Sequence, residues 1–94
     1  MDHVRDGKIM HYTYLLESSI NGKWYIGYTK DLRKRFNEHN KGKNGWTKTG
    51  VPWKLIYYES CFNEEDARSR EKYFKTGMGR RYLKNRLKRF LSLT

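Results

Sequence analysis

Asn21-Gly22 sits between two short runs rich in tyrosine, and this arrangement constrains the fold more than any other stretch. Residues 10–17 alternate Tyr12, Tyr14 and Leu16 with Thr13, Leu15 and Glu17, the period-two pattern of a strand. Both sets hold large or β-favouring residues, so both faces of the strand are expected to be covered. Residues 18–22 form the turn, where Asn21-Gly22 suits a pair at positive φ. Lys23-Trp24-Tyr25-Ile26-Gly27-Tyr28 then returns as the second strand of an antiparallel hairpin.

A helix signal follows at once. Thr29 or Asp31 can cap a helix running to about Asn40, and Gly42 can end it. Leu32 and Phe36 lie one turn apart and face the sheet, with Arg35 and His39 in the neighbouring row. Residues 41–52 hold three glycines, three lysines and Trp46, a loop too polar and glycine-rich to pack. Residues 53–60 form a third strand, with Cys61-Phe62 at its end. Asn63 caps a second helix over 64–76, whose first turn carries Glu64, Glu65 and Asp66 as the helix dipole favours. Gly77 and Gly79 are expected to break it before a third helix over 80–91, with Leu83, Leu87, Phe90 and Leu91 as its stripe. The order is β-β-α-β-α-α. The fold class is α+β, a three-stranded antiparallel sheet flanked by helices, since three strands need a helix layer to be stable. Residues 1–9 are expected to be a flexible polar leader, and 10–94 a single domain.

Such a domain can bury one modest core, and with 16% aromatic residues a few large rings would build it. The formal net charge of +11 favours a polyanionic partner, nucleic acid before an anionic membrane surface. Lys41, Lys43, Lys48 and Lys54 surround the glycine loop, and Arg80, Arg81, Lys84, Arg86, Lys88 and Arg89 load the third helix. This exceeds what solubility needs, and backbone phosphate is the expected ligand. Trp46 can stack on an unpaired base or pack back on the sheet; both readings stand. Nothing resembles a base-reading helix, so weak sequence preference is expected. The single Cys61 excludes an internal disulfide and a thiolate zinc site, and it fits a reducing cytoplasm. No apolar run approaches the roughly 20 residues of a membrane helix.

Three groups could carry chemistry. Glu71 lies four residues after Ala67 and three before Phe74, in the row that faces the core. A carboxylate there needs a cation, which a rim salt bridge to Arg68 or Lys75 supplies as well as a metal does. Arg35 could clamp a phosphate, with Arg33 beside it, though a solvated basic face is the usual fate of such a run. His39 could be a general base, a substrate contact or only a polar residue near a helix end. Tyr12, Tyr14, Tyr25 and Tyr28 read as cross-strand packing, yet a hydroxyl near cations can relay a proton or position water. No zinc spacing, P-loop, dinucleotide loop or serine-histidine-aspartate set is present.

Together these residues carry a resemblance. Tyr12-Thr13-Tyr14, then Tyr25-Ile26-Gly27, then Arg35 ten residues on, His39 four further, and the helix Ala67-Arg68…Arg70-Glu71-Lys72 resemble the GIY-YIG endonuclease family. Within it the chain is similar to small standalone single-domain bacterial members, over about 10–85, and the Pro52-Trp53-Lys54-Leu55 strand also matches that subgroup. The resemblance implies the GIY-YIG nuclease fold and divalent-metal-dependent hydrolysis of a DNA phosphodiester, in repair or recombination. By position, Glu71 would be the sole carboxylate ligand of Mg²⁺, with Mn²⁺ as the alternative. Arg35 would stabilise charge on the scissile phosphate. Tyr14 and Tyr25 would frame the attacking water, with the division of labour between them left open. His39 fills a position near the site, and Gly27 would permit close approach of substrate or of the following helix. The partner would be DNA, branched or containing single strands, and a protein partner for targeting is left open. Thr13 and Tyr12 depart from the family triplet. Tyr28 stands where some members carry lysine, and Asn85 is the candidate for a late asparagine. A non-catalytic basic module that binds DNA or RNA is the rival reading.

Overall fold

The computed structural model describes residues 4–5, 8–43 and 45–93. Two minimal strands, β1 (Val4–Arg5) and β2 (Lys8–Ile9), pair antiparallel with Val4 opposite Ile9. The expected flexible leader therefore contains a short ladder; residues 1–3 and 6–7 lie outside the described residues. The main sheet has β3 (His11–Ser18) at its centre, β4 (Trp24–Thr29) on one side and β5 (Trp53–Cys61) on the other, both antiparallel to it.

The hairpin turn is longer than a two-residue loop. Ser18 N–H donates to the Lys23 carbonyl at 2.9 Å, and Gly22 N–H donates back to the Ser18 carbonyl at 3.0 Å. Gly22 takes φ 73°, and Asn21 Oδ1 accepts the Lys23 N–H at 2.9 Å. The asparagine thus serves through its side chain, and the glycine supplies the left-handed backbone.

Central position buries β3 on both faces. Tyr12, Tyr14 and Leu16 pack on one side with Leu32 and Trp53; Leu15 packs on the other with Ile26, Phe74 and Leu83. The register with β5 slips between Leu15 and Leu16, which oppose Tyr57 and Leu55. The extra residue, Ile56, lets Ile56 and Tyr57 both serve the second cluster while Trp53 and Leu55 serve the first.

Helix α1 (Leu32–Asn40) covers the first face. Of the two capping residues considered, Asp31 is the cap: its Oδ1 accepts the Lys34 N–H at 3.1 Å, while Thr29 Oγ1 accepts the N–H of Asp31 itself at 3.0 Å. Helix α2 (Glu64–Phe74), capped by Asn63, covers the second face with α3 (Gly77–Arg86). Thr13 Oγ1 donates to the Ala67 carbonyl at 2.6 Å and pins α2 to the centre of the sheet.

Three expectations need correction. Gly77 and Gly79 do not separate helices as breakers; they are the first turn of α3, where Thr76 Oγ1 accepts the Gly79 N–H at 3.0 Å. A Cβ on Gly79 would collide with the Tyr73 carbonyl, so the glycine permits close approach of α3 to the end of α2. The last helix is two, since α3 ends at Arg86 and α4 covers Lys88–Ser92. The glycine loop packs after all. Thr47–Gly50 is a 3₁₀ turn with Thr47 and Gly50 buried, Ser18 Oγ donates to the Gly50 carbonyl at 2.7 Å, and Trp53 Nε1 donates to the Thr47 carbonyl at 2.7 Å.

Candidate active site

Tyr14 is the centre. It stands on the central strand opposite Gly27 of the edge strand β4, and its ring lies across the Gly27 α-carbon. A Cβ at position 27 would sit 2.5 Å from the Tyr14 hydroxyl oxygen. The close approach that Gly27 permits is therefore to this ring, not to the following helix.

The Tyr14 hydroxyl lies 2.9 Å from His39 Nε2, and His39 Nδ1 lies 2.8 Å from Thr47 Oγ1. All three side chains are buried. A neutral imidazole donates from one nitrogen and accepts at the other, so this chain of three satisfies both. Burial pushes the Tyr14 phenol well above its ordinary range; Tyr25 pushes the same way, and the nearby Arg35 guanidinium pulls it down. Glu71 also raises it, which brings the α2 carboxylate into the electrostatic field of the same hydroxyl. His39 is lowered to about 4, first by burial and then by the Arg35 charge. It is neutral at ordinary pH.

Tyr25 is half-buried, its ring centroid 4.7 Å from that of His39 and 6.2 Å from that of Tyr14. Arg35 is partly exposed and holds Glu38 Oε1 at 3.3 Å, and burial opposes its charge less than Tyr14 and Glu38 favour it. Glu71 keeps 20% of its side chain exposed and accepts from Lys75 Nζ at 3.0 Å. Of the two rim cations considered, Lys75 is the one that pairs; Arg68 pairs with Glu64.

Tyr14, Tyr25, Arg35 and His39 are thus in one cluster, with Glu71 at its edge. The remaining candidates lie elsewhere. Tyr12 is core. The Tyr28 hydroxyl lies 2.7 Å from His11 Nδ1, and its ring carries Arg68 at 4.1 Å. Asn85 is exposed near the end of α3, and no hydrogen bond among the described residues joins it to the cluster. The basic residues divide into two areas. Arg33, Lys41 and Lys43 line a shallow groove along α1, and Lys48 is exposed nearby on the 3₁₀ turn. Arg80 and Lys84 line a larger groove with Trp46, while Arg81 is exposed on the same helix. Trp46 stacks at 30° to Tyr25 and 31° to Trp53, yet stays 56% exposed. Packing back on the sheet and facing a ligand are compatible.

Three participants escaped the sequence reading. Thr47 fixes the far side of His39, but a threonine in a polar loop carries no periodic signal. Thr13 sets the height of α2, and only its place between two tyrosines hinted at this. Asn40 clamps α1 to β5, with Nδ2 donating to the Trp53 carbonyl at 3.0 Å and Oδ1 accepting the Trp53 N–H at 2.6 Å.

Comparison with known proteins adds three observations. The family model described as the GIY-YIG catalytic domain matches residues 10–88. A UPF0213 protein of Streptococcus pneumoniae is 45% identical over 65 residues, 68% of this chain and 65% of its own length. A UPF0213 protein of Streptococcus agalactiae is 41% identical over 69 residues, 72% of this chain and 77% of its own. The match to the first thus falls just short of two thirds of that relative. The solution NMR structure of the UPF0213 protein BH0048 from Bacillus halodurans superposes with a TM-score of 0.50 at 31% identity, covering 79% of this chain and 81% of that one.

Proposed function

We propose, from the premise that this chain belongs to the GIY-YIG family of endonuclease catalytic domains, that it hydrolyses phosphodiester bonds in DNA. The observation that carries the reading is the Tyr14 hydroxyl, fixed by His39 and acted on by the charges of both Arg35 and Glu71. A core tyrosine needs no such company.

The roles follow from the chemistry of each group. Tyr14 is the base that takes a proton from the attacking water, with the Arg35 guanidinium favouring its phenolate against burial. His39, neutral above about pH 4 and so a weak proton acceptor, holds the hydroxyl in place through Nε2. Thr47 holds it in one orientation. Tyr25, half-exposed beside His39, orients the water. Arg35 neutralises charge on the phosphate as the pentavalent state forms; Glu38 holds its guanidinium until then. The bond formed is from water oxygen to phosphorus, and the bond broken is to the leaving sugar oxygen.

Among the described residues no three histidine, cysteine or acidic side chains form a metal cluster. Glu71 alone would hold a cation, and this fits Mg²⁺ or Mn²⁺, which keep several waters and take the rest of their shell from phosphate. When bound, the ion would stabilise the leaving oxygen. Lys75 occupies one Glu71 oxygen, and its 53% exposed side chain can turn into solvent to release it.

The substrate we infer is branched or single-strand-containing DNA with weak sequence preference, in repair or recombination in the cytoplasm. Among the described residues no helix is long and apolar enough to cross a membrane. The test is nicking of flapped, branched and plain DNA with Mg²⁺ or with chelator. Glu71→Ala and Arg35→Ala should each lower the rate at least about a hundredfold while leaving the fold intact. Cleavage that survives both changes would overturn the assigned site, and DNA binding with no turnover in the parent chain would leave only the non-catalytic module.

A further inference from the structure

We propose that the groove between the hairpin turn and helices α3 and α4 is a second nucleotide-binding subsite. It takes an unpaired segment of the DNA strand, stacking one base on Trp46 and holding its phosphates with Arg80, Lys84 and Lys88. The proposal deepens the nuclease reading by giving the strand a path beyond the cleavage centre.

The groove has a volume of about 790 Å³ and is lined by Lys23, Trp24, Trp46, Arg80, Lys84 and Lys88, among others. No carboxylate lines it, and α3 and α4 contain no acidic residue at all. Among the described residues, Arg35, Lys54, Arg68, Arg70 and Lys75 form ion pairs, whereas Lys23, Arg80, Lys84 and Lys88 form none. Cations left without counter-charges along one concave surface are complementary to a chain of phosphates.

Trp46 selects the kind of strand. Its ring is held against Tyr25 and Trp53 at centroid distances of 5.8 and 6.2 Å, yet 56% of the residue remains open. It is a flat platform already in place, so little side-chain freedom is lost on stacking. A duplex offers base edges in its grooves and buries base faces in its own stack. Only an unpaired base can lie on this ring.

The groove also leads to the candidate active site. A second cavity of about 260 Å³ shares Trp24, Trp46 and Arg80 with it and ends on Tyr25 and Lys75. Lys75 is the residue paired to Glu71 at 3.0 Å. A base on Trp46 therefore rests one ring away from the contact of Tyr25 with His39.

The experiment measures binding in the Glu71→Ala chain, where cleavage cannot interfere, using labelled oligothymidylate of about ten nucleotides and a blunt hairpin duplex. Trp46→Ala should weaken oligothymidylate binding about tenfold and change duplex binding less than about twofold. Trp46→Phe should restore most of the loss. The exposed pair Lys84→Glu/Lys88→Glu should weaken both probes and flatten the salt dependence by about 1.5 units of slope. Thermal melts confirm that each variant folds. The proposal is overturned if Trp46→Ala, or the charge-reversed pair, binds oligothymidylate like the parent. It is equally overturned if Trp46→Ala weakens duplex as much as single strand. Binding that behaves as expected in a chain that never cleaves DNA sinks the nuclease reading and leaves the subsite standing.

Discussion

The sheet has two covered faces, and they are held by different forces. Under α2 and α3 the cluster of Leu15, Ile26, Phe74 and Leu83 is apolar, and its cohesion is burial of area. Under α1 the buried set includes Tyr14, His39 and Thr47, whose polar atoms are joined in one line, with Tyr25 and Trp53 packed around them. No buried side-chain polar atom among the described residues lacks a partner. The contrast separates area from polar contact: one face should answer to lost volume, the other to a single lost oxygen.

Changes on the two faces should therefore fail in different assays. Tyr14→Phe is expected to have the largest effect, a fall in cleavage rate of about 10²–10⁴-fold. Its stability should drop by only about 1–3 kcal/mol, because His39 Nε2 loses its partner. Single-turnover cleavage and urea melts of the same preparation check both halves. Phe74→Ala should behave in the opposite way, costing about 3–5 kcal/mol of stability while sparing the rate in whatever fraction stays folded at low temperature. If the two variants lost stability and rate in the same proportion, the division between faces would collapse.

A smaller effect sharpens the comparison through pH. His39 titrates at about 4 in the fold against 6.5 in an open chain. The unfolded chain thus takes up the proton first as pH falls. The contribution is complete above about pH 6.5, declines between 6.5 and 4, and is then exhausted; its size is on the order of 3 kcal/mol. Urea midpoints at pH 7.5 and 4.5 should differ more for the parent than for His39→Gln. An identical slope in both would place the acid sensitivity elsewhere. The smallest change joins the faces: Thr13→Val removes the bond to the Ala67 carbonyl, at about 1 kcal/mol, and should lower the cleavage rate more than binding by shifting Glu71.

Legibility in the sequence follows the same divide. The hairpin, α1, α2 and the buried rows at Leu32, Ala67 and Phe74 are periodic features, and periodicity is what burial of area leaves behind. The resemblance singles out Arg35, His39 and Glu71 together, and spacing offers Arg68 or Lys75 as the cation for Glu71, of which Lys75 pairs. The partner of His39 is not legible, because Thr47 reaches it from a segment with no period. Gly77 and Gly79 were misleading because glycine more often ends a helix than opens one; here Thr76 provides the cap and Gly79 the clearance. The division of the last helix at Leu87 leaves the apolar stripe unbroken, so composition could not reveal it.

Gly27 and Tyr14 have a consequence for inheritance. The ring occupies the space that any side chain at 27 would need, so an alanine there would push the Tyr14 hydroxyl from His39 with residue 14 itself unchanged. The two positions mutate as one. Position 27 becomes permissive only once the bulk at 14 is gone, and with it the contact to His39. A chain that has lost the ring at 14 should therefore drift at both positions together, and restoring the tyrosine alone would not bring the cluster back.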